Sequence, residues 1–82
     1  MSVFVDSVYS YPGRGLWCHM MADTAEELHA MAEAIGLRRE WFQNHPHHPH
    51  YDLSPCARIL AVQRGAIEVS SIEMARHFRR RF

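Results

Sequence analysis

Seven histidines stand in 82 residues, and four of them crowd into His45-Pro46-His47-His48-Pro49-His50, with Tyr51-Asp52 directly after. Imidazole titrates near neutral pH and is the commonest side-chain ligand for metals. The last member of the run carries the most information. His50 and Asp52 are two residues apart, so on an extended segment their side chains share one face. Such a pair serves as a base with its orienting carboxylate, or as two metal ligands. His45, His47 and His48 read differently. Two prolines break the segment and no spaced carboxylate completes a ligand set, so these three form a solvated loop able to take up nickel or zinc adventitiously.

The remaining histidines are His19, His29 and His77. His19 follows Cys18 in a short apolar run, and neighbours on a strand face opposite sides, so the two cannot readily share a metal. There is no C-x-x-C, and Cys18 and Cys56 are too few for a disulfide framework or a structural zinc site. Both are expected to be reduced, with Cys56 packed as a small apolar residue. His29 lies about 100° around a predicted helix from Leu28. At that stripe edge it is either a boundary histidine bonded to a neighbour or part of a site. With His50 and Asp52, His19 and His29 make the candidate set for a divalent metal such as zinc, manganese or magnesium. Asp23 reads chiefly as a helix cap. Asp6 would meet it and the Gly13-Arg14-Gly15 loop in one crevice if the first two strands ran the same way.

Few elements are available to position these groups. Residues 3–8 read as a strand, residues 11–15 as a turn, and residues 16–21 as a second strand. Asp23 with Glu26 predicts a capped helix whose stripe is Leu28, Met31, Ala32 and Ile35, ended by Gly36. Residues 37–44 suggest a short helical turn with Trp41 and Phe42 plugging the core. The His/Pro segment is loop, and residues 50–53 return to extended structure. Ser54-Pro55 opens a second helix, with Cys56, Ile59, Leu60 and Val62 as its buried side and Gly65 as its close. Residues 66–69 make a strand. Ser70 with Glu73 opens a last helix through Ile72, Met74, Ala75 and Phe78. The order predicts one α/β or α+β domain over residues 1–82, a sheet of about three strands covered by about three helices.

Composition narrows the class. At 48% hydrophobic and 22% charged, the chain is neither disordered nor extreme. It has no apolar run long enough to span a membrane, and its start lacks the pattern of a signal peptide, so a cytoplasmic location is expected. A chain this short buries a modest share of its surface, which favours a homo-oligomer. All nine basic residues are arginine, as GC-rich codon usage favours. Four of them (Arg76, Arg79, Arg80 and Arg81) form a basic C-terminal patch, suited to nucleic acid or to the negative end of a helix. Zero net charge argues against broad electrostatic binding of nucleic acid.

Several motifs together resemble a known family. They are Val5-Asp6, the run from Leu16 through Trp17-Cys18-His19-Met20-Met21-Ala22-Asp23-Thr24, and Glu27-Leu28-His29. Ile35-Gly36-Leu37, Arg39 with Trp41-Phe42-Gln43, His50-Tyr51-Asp52 and the closing Gly65-Ala66-Ile67-Glu68-Val69 complete the set. The chain is similar along nearly its whole length to small uncharacterised bacterial and phage proteins grouped as a domain of unknown function. For a phage-encoded member the location would be the host cytoplasm. The resemblance implies no established activity. Some members look joined to, or encoded beside, HD-type phosphohydrolase domains, a hint of phosphate or nucleotide chemistry. The family pattern falls on His19, Asp23, His29, His50, Tyr51 and Asp52. Residues 45–49 look like a local insertion, and Cys18 looks replaceable by serine.

Three functions are consistent with these residues. The first is a binding module for a small phosphorylated or nucleotide-like ligand. In it Arg14, Arg38 and Arg39 meet phosphate, Trp41 or Tyr51 stacks, and His19, His29 and His50 supply polar contacts. The second is a metal-dependent hydrolase or nuclease using His19, His29, His50 and Asp52 as ligands or acid/base groups. The third is an oligomeric interaction protein without a catalytic site.

Overall fold

In the computed structural model, which describes residues 2–79, one long strand organises the rest. Its neighbours in chain order are β1 (Val3–Val5), β2 (Tyr9–Tyr11), the long strand β3 (Gly15–Ala22), α1 (Ala25–Ala34), a 3-10 turn at Arg39–Trp41, β4 (Tyr51–Leu53), α2 (Pro55–Gln63), β5 (Ile67–Glu68) and α3 (Ser71–Phe78). Among the described residues the sheet has five strands, not about three, and is mixed, which makes the domain α+β. β1, β2 and β4 all pair antiparallel with β3, while β5 pairs parallel with β1. The strand expected over residues 3–8 ends early, and a separate strand, β2, forms at Tyr9–Tyr11, taking in the first residue of the expected turn. The extended segment before the second helix pairs as β4.

Pairing splits the side chains of the sheet into two sets. Val3, Val5, Cys18, Met20, Ala22, Tyr51 and Leu53 share one face by register and form the main core. Leu28 and Ala32 of α1 and Ala61 of α2 cover them. The other face carries Phe4, His19, Met21 and Asp52. There α3 lays Met74 and Phe78 against Met21, with Phe4 and Val69 beside them. The short α3 covers only the Phe4–Met21 end. The His19–Asp52 end of that face stays accessible.

β1 and β2 do not follow β3 in one register. Val5 pairs with Met20 and Tyr9 with Trp17, so four steps along the first chain segment match three along β3. That count is the signature of a β-bulge, a device common beside functional sites because it re-aims side chains. The unmatched stretch follows Asp6, whose N–H still bonds the His19 carbonyl.

Several sequence expectations hold in detail. Ser54 caps α2 with Pro55 at its first turn, Ser70 and Glu73 form a full capping box, and the Leu28–Ala32 side of α1 is buried. Gly36 and Gly65 end their helices at φ 84° and 103°, a region that suits glycine.

Others are corrected. The cap of α1 is Thr24, not Asp23: its hydroxyl accepts from Glu27 N–H and donates to Glu27 Oε1. Asp23 instead accepts from Ser2 N–H and pairs with His77 Nε2 at 2.9 Å. Because β1 and β3 are antiparallel, Asp6 and Asp23 sit at opposite ends of β1 and share no crevice. Cys56, Ile59 and Leu60 are exposed on α2, whose buried side is Ala61 with Ala57 and Val62. Ile72 is exposed on α3, and Trp41, at 50% exposure, does not plug the core. Of the basic C-terminal patch, Arg80 and Arg81 lie outside the described residues.

The position of the first cap is testable. Thr24→Ala is expected to cost about 1 kcal/mol, lowering the thermal midpoint by roughly 4–8 °C in a domain of this size. Calorimetry of the purified variant checks it.

Candidate metal centre

Register alone brings three predicted residues together. His19 lies opposite Asp52 in the β3–β4 pair, and His50 precedes β4 by one residue, with its side chain on the Asp52 side. His50 is held there by a two-way backbone bridge to Gln43, with hydrogen bonds of 2.8 and 3.1 Å. One nitrogen from each histidine and one Asp52 oxygen lie within 4.8 Å of one another. His50 Nε2 is 3.4 Å from Asp52 Oδ1. Ligand atoms around a tetrahedral zinc are about 3.3 Å apart, so that pair already has the spacing. All three residues are half-buried.

The orientation of both rings is fixed from behind. His19 Nδ1 lies 2.8 Å from Asp6 Oδ2. A carboxylate accepts, so Nδ1 carries the proton and Nε2 is left for the cluster. His50 Nδ1 is 2.6 Å from the His48 carbonyl, which likewise only accepts, and this again leaves Nε2 facing inward. A second ring nitrogen bonded to a carboxylate or a main-chain carbonyl is the usual arrangement of metal-ligating histidine.

Asp6 is the member of the candidate site that the sequence placed least well. It is 2% exposed. Its Oδ1 accepts from His19 N–H at 2.6 Å, and its Oδ2 also accepts from the Ser71 hydroxyl at 3.5 Å. The hydrogen bond to Asp6 raises the pKa of His19, against the opposing effect of burial; the charge of Asp6 and then that of Asp52 add to it. One signal could have found this partner. Once Val5 is set opposite Met20, antiparallel register puts Asp6 opposite His19.

The other predicted residues lie elsewhere. His29 projects from α1 on the opposite face, where its Nδ1 and the Tyr51 hydroxyl share a 2.7 Å hydrogen bond. Burial, and then the charge of Arg39, holds His29 below its ordinary pKa, as suits a neutral ring against Phe42 and Tyr51. Tyr51 is 1% exposed and offers no face to a ligand. Arg38 pairs with Glu40 at 2.8 Å and lies over the Trp41 ring. Arg14 reaches Asp52 Oδ2 at 3.5 Å. Cys18 faces the core, where burial, reinforced by the Asp6 charge, pushes its thiol up to about 12 and keeps it from acting as a ligand.

Beside His19 and His50 opens a cavity of about 390 Å³. Tyr9, Tyr11, Met21 and Met74 give it apolar walls, and His45 and His48 stand at its edge. The loop that looked incidental in sequence therefore borders the cluster.

The Asp6–His19 bond predicts a pH signature in metal-free protein. A raised histidine pKa means that the pair stabilises the fold fully below the unfolded value, about 6.5. That contribution is lost as pH rises through the folded value. By NMR, His19 is expected to titrate above a free histidine, and Asp6→Asn is expected to bring its midpoint down.

No curated protein and no solved structure matches the chain. A family match covers residues 3–81, nearly the whole length, and bears the description protein of unknown function. The geometry therefore belongs to a member of a family whose description names no reaction: the chain is a DUF4031 protein.

Proposed function

We propose that this protein is a divalent-metal-dependent hydrolase whose metal is held by His19 Nε2, His50 Nε2 and an Asp52 oxygen. The observation that carries this reading is that each imidazole has its Nδ1 engaged by a fixed acceptor, while one nitrogen of each ring and an Asp52 oxygen lie within 4.8 Å of one another. Two imidazoles with one carboxylate suit zinc or manganese better than magnesium, which prefers an all-oxygen shell. Three protein ligands leave a further position for water, the usual form of a catalytic site.

A divalent metal held by His19, His50 and Asp52 would supply an acidified water as the nucleophile at neutral pH. In ester hydrolysis the water oxygen would bond to the electrophilic centre as the bond to the leaving oxygen breaks, one water proton going to the leaving oxygen and the other staying with the acid product or its base. The adjacent cavity gives a substrate access to His19 and His50. His29, remote from the cluster and bonded to Tyr51, has a packing role in this reading and no ligand role.

The test is zinc binding by calorimetry on protein made without a histidine tag. One equivalent is expected to bind the wild type. His19→Ala, His50→Ala or Asp52→Asn should weaken it by more than 100-fold, and Asp6→Asn by about 10–100-fold through the outer contact. His29→Ala should bind as wild type does. Unchanged binding in the His19 and His50 variants would overturn the proposal. So would loss of binding only on replacing His45, His47 and His48 together, which would assign the metal to the loop.

A further inference from the structure

A second cleft opens on the other side of Asp52. It encloses about 420 Å³ and is lined by Arg14, Trp17, Trp41, Gln43 and Asp52, among others. The chain has two tryptophans, and both are here. Trp41 stands on a one-turn helix, half-exposed, and contributes little to either core cluster. Exposing half an indole is unfavourable in water, and the ring is most useful where another flat apolar surface can cover it.

Arg14 joins this cleft to the proposed metal position. Its guanidinium lies over the Trp17 ring, 5.6 Å from the centroid, and 3.5 Å from Asp52 Oδ2, while Asp52 Oδ1 faces His50. With Asp52 engaged by a cation, the planar fork of Arg14 is placed to take a phosphate oxygen beside that cation. Glu40, the other carboxylate lining the cleft, has its charge met by Arg38 at 2.8 Å. Gln43 offers an amide donor and acceptor at the same wall, suited to the edge of a base.

We infer that this cleft is a nucleotide site: the base stacks on the half-exposed Trp41 and the phosphate lies between Arg14 and the metal held by His19, His50 and Asp52. The phosphate half of this inference rests on the metal reading above, and the stacking half does not. The occupant is a single nucleotide unit, not a long strand. The cleft volume falls in the range of small-ligand sites, and a chain of zero net charge lacks the basic track that a polyanion needs.

Because both tryptophans line the cleft, their fluorescence reports on it directly. AMP, adenosine and inorganic phosphate are titrated into the protein with zinc and with chelator, exciting at the red edge of the indole band. Saturable quenching by AMP is expected, with adenosine about tenfold weaker and phosphate alone causing no quenching. Trp41→Ala, its fold verified by circular dichroism, should weaken AMP by about tenfold or more. Arg14→Ala should reduce AMP to the level of adenosine. AMP that quenches equally in zinc and in chelator would keep the stacking site and remove the metal from it. Zinc that binds with no quenching by AMP, or Trp41→Ala that binds AMP as wild type does, would overturn the nucleotide site and leave the metal centre standing. A short single strand binding far more tightly than AMP would overturn the choice of a single nucleotide.

Discussion

A carboxyl group withdrawn from water at the end of β1 sets the terms for everything around it. Removing such a group from solvent is costly unless its oxygens find donors. Asp6 finds them on β3 and α3, and its main chain is engaged as well: its N–H donates to the His19 carbonyl, and its carbonyl accepts from Arg58 Nε at 2.8 Å. Arg58 in turn pairs with Glu68 of β5 at 2.9 Å. One buried residue thus ties together the β1–β3 register and the docking of α3 through its side chain, and the position of α2 through its carbonyl. The orientation of His19 follows as a consequence, because Nδ1 is a donor that the carboxylate needs. Its Nε2 is left outside that bond, the preorganisation that the proposed metal site would require.

Alternation on β3 and β4 does the rest of the sorting. Cys18, Met20, Tyr51 and Leu53 go to the packed face, and His19 and Asp52 go to the other. A one-residue slip in either strand would bury the imidazole and the carboxylate and expose the core. The same parity separates His29 from the cluster. α1 packs on the Tyr51 face, so His29 meets the hydroxyl of Tyr51 and never the carboxylate of Asp52.

Much of the fold was legible because local signals were strong. The Ser54-Pro55 start, the Ser70–Glu73 box and the two helix-ending glycines are short-range patterns that the backbone obeys. The misreadings share a cause. Asp23 and Thr24 are both good caps, and the choice between them fell to tertiary partners, Ser2 and His77, that no local window contains. Ile59 and Leu60 looked buried because apolar residues are assumed to face inward, but the side of α2 that packs on the core is Ala57, Ala61 and Val62. The division of residues 3–11 into β1 and β2 depends on a bulge visible only against β3. In the site, His50 and Asp52 were readable from spacing on one strand. Their convergence with His19, and the support from Asp6, required strand pairings that the sequence left open.

The histidine-rich segment illustrates how density and placement separate. His45, His47 and His48 are exposed, and none belongs to the converging group. What the segment contributes to the site is chiefly backbone. The His48 carbonyl orients the His50 ring, and the Gln43–His50 bridge closes the base of the loop. The prolines at 46 and 49 limit how far the chain between those points can wander, since each fixes φ and restricts the residue before it. A loop of almost any polar composition could provide one carbonyl and a bounded span. The imidazoles of His45 and His48 border the cavity without joining the converging group, whereas His50 is constrained at once by ring, backbone and register.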